Sequence, residues 1–190
     1  MQAMRWLPWL AALLVAAVYL PSLSASFQFD DWQVVLDDAR VASLAAWWES
    51  MPGMRALTKL SYALNHALGG QVEWFRAFNI ALHAANTALV FILVRDLSRR
   101  LRTADAGDAM LVGAMTALIF GLHPVQTESV TYIAARPNLM ATLFSLLALL
   151  AWLRGRQQQP RLWWTLAALA YVAALAGKET AAVLPLAMLL

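Results

Sequence analysis

From about Phe75 to Leu97 the chain carries charge only at its two ends, at Arg76 and at Arg95-Asp96, with apolar or small neutral residues filling most of the stretch between. A helix of that length reaches across roughly 30 Å of hydrocarbon at about 1.5 Å per residue. Inside lipid the backbone must satisfy its own polar groups, so such a stretch has little choice but to be helical. Similar blocks recur at about 6–23, 109–122, 137–153 and 162–176, and an incomplete one occupies 180–190. The expected fold class is therefore all-α, a polytopic membrane protein with about five to six transmembrane helices. Composition agrees: 13% of the residues are charged, against about 25% in an ordinary soluble domain.

Arginine positions set the expected orientation. Arg95, Arg99, Arg100 and Arg102 follow the second block, and Arg154, Arg156 and Arg161 follow the fourth. Under the positive-inside bias these turns, with Arg5, face the cytoplasm, and the outer segments come out net acidic. The first block also resembles a signal peptide, with small residues at Ser22-Leu23-Ser24-Ala25 offering a cleavage site. Either reading delivers Ser26 and the residues after it to the outside. An outer loop over 24–74 is too polar to span. Within it Val41 to Trp48 and Ala56 to Leu68 suit short interfacial helices broken at Met51-Pro52-Gly53, the second with Leu57, Leu60, Leu64 and Leu68 at helical spacing. The eleven residues from Thr180 to Leu190 are too few to cross, so the chain is expected to be the amino-terminal portion of a longer protein. Cysteine is absent, which excludes disulfides and thiolate metal sites. No basic run suits nucleic acid.

The residues that could carry chemistry map to one side under this topology. Asp30-Asp31 follow the first span between aromatic residues; acids near a low-dielectric boundary suit a general base or a divalent cation, and the bland alternative is a solvated helix cap. Asp37-Asp38 fit the bland alternative better. Asn79, His83 and Asn86 share a face of the second span, where interhelical hydrogen bonding competes with headgroup binding. His123, Glu128 and Arg136 lie in the bend between two spans. A helix starting near Glu128 would put Glu128 and Arg136 on nearly one face, either as a structural salt link or as an arginine fork for phosphate. Lys178-Glu179 mark the outer end of the fifth span.

The order Phe29-Asp30-Asp31, then Arg55 with Leu57 and Asn65, Asn79-x-x-x-His83-x-x-Asn86, His123-Pro124-x-x-Thr127-Glu128-x-Val130 with Arg136, and Lys178-Glu179 resembles the amino-terminal membrane region of GT-C glycosyltransferases. Within that group it is most similar to the transmembrane and tetratricopeptide-repeat protein O-mannosyltransferases and their bacterial relatives. The resemblance implies a polytopic enzyme that takes a sugar from a polyprenyl-phosphate donor and passes it to a protein or glycan acceptor outside the cytoplasm. It implies Asp30 or Asp31 as general base or metal ligand, a divalent metal being possible there. Arg136 and Lys178 become carrier-phosphate contacts, with Arg55, His83, His123, Glu128 and Glu179 shaping the substrate site. The implied location is a bacterial inner membrane with the site facing the periplasm or exterior. Two departures stand out: Ala56 follows Arg55 where the family often has proline, and no tetratricopeptide repeat is visible.

Two other classes compete. A transporter or flippase component would line a path with His83 and Asn79, but such proteins place ionisable groups near the midplane and on both sides of it. An inactive, truncated membrane subunit is the third expectation.

Overall fold

Arg76 and Arg136, two charged residues in apolar surroundings, are both fully buried, and the fold is organised around the carbonyls they bind. The computed structural model describes residues 6–50, 53–101 and 105–189. Arg5, Met51-Pro52, Arg102 with its two following residues, and Leu190 lie outside the described residues.

Among the described residues the chain forms α1 (Leu7–Tyr19), α2 (Leu44–Glu49), α3 (Ala56–Ala67), α4 (Val72–Arg100), α5 (Ala106–Leu122), α6 (Gln126–Thr131), α7 (Arg136–Gly155), α8 (Pro160–Gly177) and α9 (Leu184–Leu189), with short 3-10 turns in some connections and a π-helical turn over Trp32–Leu36. No strand occurs among the described residues. This is an all-α membrane protein. Two segments, Val72–Arg100 and Ile133–Gly155, are long and apolar enough to cross a bilayer. The first contains the 75–97 block and the second the 137–153 block. α1 and α5 cover much of the 6–23 and 109–122 blocks but are shorter, and α8 covers the 162–176 block.

α1 and α5 pack on α4, α7 on α4, and α8 on α7. Burial explains the arrangement. Val15 and Tyr19 of α1, Ile80 and Leu82 of α4, Val130 of α6, and Leu139 and Met140 of α7 make one core. Gly121 sets the closest approach: a Cβ there would lie 2.5 Å from Val15 Cγ2 and 2.8 Å from Thr87 Oγ1, so α1, α4 and α5 converge only because the side chain is missing. Large apolar residues left over point outward, among them Leu10, Leu13 and Leu14 of α1, Leu111 and Ile119 of α5, and Leu169 of α8. In water these would be unfavourable patches; against lipid they are solvated.

A second core sits at the end where α4 starts. Val35, Val41, Tyr62, Phe75 and Ile133 close it beneath the loop that follows α1. α2 begins at Ser43, whose hydroxyl accepts from the Ala46 N–H at 3.1 Å. The Trp47 Nε1–H donates to the Ala56 carbonyl at 2.8 Å and ties α2 to the start of α3. The leucine stripe of α3 turns out not to be its seat: Leu64 and Leu68 are exposed, whereas Thr58, Ser61, Tyr62 and Asn65 are buried. The polar face of this amphipathic helix docks on protein; Leu64 and Leu68 face away, and Leu57 packs half-buried against the first core. Polar side chains win the inner position because each finds a partner there: Thr58 Oγ1 donates to the Gly177 carbonyl at 3.0 Å and Tyr62 Oη to the Ile133 carbonyl at 2.9 Å.

Candidate functional site

The loop after α1 approaches the 131–136 segment through three kinds of contact. The Arg76 guanidinium, rooted in the second turn of α4, donates Nε–H to the Thr131 carbonyl at 3.0 Å and reaches the carbonyls of Ala25 and Ser26 with its terminal nitrogens. Asp31 is buried; its Oδ1 accepts from the Ala134 N–H at 2.7 Å and its Oδ2 from the Gln28 N–H at 3.1 Å. Tyr132 Oη accepts from the Asp30 N–H at 3.0 Å. Burial raises the Asp31 carboxyl above its ordinary value, an effect the backbone N–H bonds and the nearby Arg76 oppose.

These contacts separate two neighbouring acids. Asp31 spends both oxygens on backbone donors, whereas Asp30 is exposed and lines a cavity of about 550 Å3. The turn between them requires Phe29 to adopt φ 43°, the left-handed region that non-glycine residues rarely enter. Phe29 is itself 83% exposed, so its ring is not what holds the turn; the bonds on either side of it do that.

Across the cavity from different elements come Arg40, Arg55 and Lys59, with Asp38, Tyr62 and Tyr132 in the wall. Arg40 forks Asp38, Nε to Oδ1 at 2.7 Å and a terminal nitrogen to Oδ2 at 2.8 Å. Arg55 forks Glu179 at 3.1 and 2.6 Å, bringing the loop before α3 against the turn after α8. Arg55 also sits at φ 60°, another left-handed non-glycine residue. Lys59 makes no hydrogen bond or ion pair among the described residues. Its ammonium is pushed below the ordinary lysine value by burial first and by the neighbouring Arg40 and Arg55 charges, with Asp38 opposing. Tyr132 is raised, chiefly by desolvation. The cavity thus gathers three cations beside carboxylates, and of the three only Lys59 has no ion-pair partner among the described residues.

The remaining expected site residues scatter. Lys178 Nζ donates to Asn138 Oδ1 at 2.5 Å, beside but outside the cavity. His123 and Glu128 are exposed, and the His123 Nδ1 accepts from the Val125 N–H at 3.2 Å. The common helix expected for Glu128 and Arg136 does not form: α6 stops at Thr131 and Arg136 opens α7, because Pro137 at the next position favours a new first turn. The phosphate contact expected of Arg136 does not fit its surroundings either. Nε–H goes to Asn79 Oδ1 at 2.8 Å, one terminal nitrogen to Ser61 Oγ at 2.9 Å and the other to the Phe75 carbonyl at 2.9 Å. Tyr62 and Phe78 stack on the same guanidinium at 4.4 and 4.8 Å. His83, expected to touch substrate, lies inside the bundle with Nε2 2.9 Å from the Gly121 carbonyl, and Asn86 donates to the Leu139 carbonyl at 3.0 Å. Both serve helix packing.

A protein-built cage for a divalent metal does not suit this donor set. Asp31 has no oxygen to spare from its backbone donors, and no group of three or more His, Cys, Asp or Glu residues is gathered among the described residues.

With this geometry in view, similarity to known proteins is informative. The chain is 32% identical over 154 residues to protein O-mannosyl-transferase TMTC2 of Mus musculus, covering 73% of this chain and 17% of that protein. It is 32% identical over 191 residues to protein O-mannosyl-transferase Tmtc2 of Drosophila melanogaster, covering 88% of this chain and 19% of that protein. The chain is a homologue of protein O-mannosyl-transferases. A third relative, protein O-mannosyl-transferase TMTC4 of Homo sapiens, is 27% identical over 173 residues, covering 78% of this chain and 23% of that protein. The chain thus spans about a fifth of the length of these curated relatives. No family model matches it, and no solved structure does.

Arg40, Lys59 and Tyr132 are absent from the site expected from sequence. Lys59 carried a signal of sorts, being a lone cation on the polar face of an amphipathic helix, three residues from Tyr62 on that face.

Proposed function

We propose that this chain carries the reaction cavity of a glycosyltransferase that moves a sugar, mannose by the names of its relatives, from a polyprenyl-phosphate donor to a hydroxyl of a protein acceptor outside the cytoplasm. The observation that supports it most is the cavity itself, where the exposed Asp30 carboxyl faces a wall containing Arg40, Arg55 and Lys59. In this reading α1, α5 and α8 cross the bilayer beside α4 and α7, and the arginine-rich end lies in the cytoplasm.

The chemistry assigns one task to each charge. The acceptor oxygen attacks the anomeric carbon, the bond from that carbon to the phosphate oxygen breaks, and the lipid phosphate leaves with the electron pair. Asp30 removes the hydroxyl proton. Lys59, unpaired, meets the charge that grows on the leaving phosphate, with Arg40 and Arg55 reinforcing the field. Tyr132 holds the Asp30 backbone in place and Asp31 holds the loop. The transport alternative loses support because His83 and Asn79 are bonded within the bundle.

The test uses the intact protein in membranes. Asp30→Asn should lower kcat by at least about a hundredfold with unchanged insertion, and Lys59→Gln should lower kcat/KM for the lipid-linked donor by about tenfold. Transfer at the normal rate by Asp30→Asn would overturn the assignment.

A further inference from the structure

α4 has 29 residues, so its far end stands roughly 43 Å from the cavity end at about 1.5 Å per residue. There α4 and α7 finish and α8 begins. Arg99 and Arg100 close α4, Arg154 lies in the last turn of α7, Arg156 follows it, and Arg161 is the second residue of α8. Arg100 donates to the Leu153 carbonyl at 3.0 Å, which draws the basic end of α4 onto α7.

The α7–α8 hairpin is built to hold indole rings at this level. A Cβ on Gly155 would lie 2.3 Å from the Trp164 ring, so the ring seats against the end of α7 only because that residue is glycine. Trp152 and Trp164 lie 5.7 Å apart, and the Arg154 guanidinium stands 5.1 Å over the Trp163 ring.

What the rim lacks is anions. Three ion pairs occur among the described residues, on Asp38, Glu179 and Asp96, and Asp96 is taken by Arg95. Asp105 and Asp108, at the start of α5, pair with none of the rim arginines. Arg99, Arg154, Arg156 and Arg161 are exposed and have no acidic partner among the described residues. Several cations gathered at one end of the bundle without acidic partners attract an anion at a membrane surface. Down α8 from Arg161 run Leu162, Leu166 and Leu169, all exposed and spaced to share one face. A free phosphate has no use for that strip. A phosphate carrying acyl chains does.

We propose that this rim binds an anionic phospholipid, its headgroup phosphate among Arg154, Arg156 and Arg161 and an acyl chain along Leu162, Leu166 and Leu169. The site is independent of the cavity and of the proposed transfer reaction.

The test is thermal unfolding of the purified chain in neutral detergent, titrated with phosphatidylglycerol, phosphatidylcholine or inorganic phosphate. Phosphatidylglycerol should raise Tm saturably and the other two should not. The variant Arg154→Gln/Arg156→Gln/Arg161→Gln should need at least about tenfold more phosphatidylglycerol for half the effect. Arg156→Gln alone, in the hairpin turn where the fold is least at risk, should need severalfold more. Equal stabilisation by phosphatidylcholine, the same shift from inorganic phosphate, or an unchanged titration in Arg156→Gln would overturn the proposal.

Discussion

Two polar regions meet at the end of the bundle where α4 starts and use charge in opposite ways. The interior knot of Arg76, Asn79, Arg136 and Asp31 is buried, and its donors and acceptors are matched largely to backbone groups from segments distant in sequence. The cavity wall of Asp30, Arg40, Arg55 and Lys59 is only partly covered; two of its cations pair with acids, the Asp30 carboxyl stands beside Tyr132, and the Lys59 ammonium has no acidic partner among the described residues. A buried charge without partners is costly, so the first group must be structural, whereas a half-exposed charge keeps hydration and can exchange it for a ligand. The same residue types thus build the scaffold in one place and the chemistry in the other.

The comparison breaks most readily at Arg136. Arg136→Met removes three hydrogen bonds and leaves Asn79 Oδ1 without its donor in a buried site; unfolding in detergent should show a loss of at least about 3 kcal/mol. Survival of full stability would mean that the knot is not structural. Asp31→Asn comes next. It converts one charged acceptor to a neutral amide that cannot accept both N–H groups, and should cost about 1–3 kcal/mol, while Asp30→Asn stays within about 0.5 kcal/mol of the parent. Equal losses at the two acids would erase the distinction between them.

A third test lies where the helices touch. Gly121→Ala forces Val15 and Thr87 apart and should destabilise by about 1–3 kcal/mol, which thermal unfolding can read. The smallest effect belongs to the exposed Arg55–Glu179 pair. The Arg55 hydrogen bonds hold the Glu179 carboxyl at about 2, below its ordinary 4.5. A depressed acid contributes its stability above the ordinary value and loses it as pH falls through about 2. Stability curves of the parent and Glu179→Gln should therefore differ slightly at neutral pH and converge in acid; a constant offset would show that the pair does not titrate as described.

Much of the helical fold was legible because hydrophobic length and periodicity are local signals. The 75–97 block sits inside α4, and the short helix expected over Ala56 to Leu68 is α3 almost residue for residue. What escaped is what depends on partners far along the chain. Nothing near Arg136 in sequence reveals that Ser61, Phe75 and Asn79 will surround it, and Arg76 meets residues on both sides of it that lie 50 or more positions away. For the same reason Asp30 and Asp31 look alike as a dipeptide and part company only when Ala134 and Tyr132 arrive.

The most direct test of the account is side-specific labelling, made clean by a chain with no native cysteine. Asp30→Cys, Lys59→Cys and Arg156→Cys would each be exposed, in oriented membranes, to a maleimide that cannot cross the bilayer. The account predicts that Asp30→Cys and Lys59→Cys react from one side and Arg156→Cys from the other. Labelling of Asp30→Cys and Lys59→Cys from opposite sides would contradict it, because the acid and the cation could not then share a cavity.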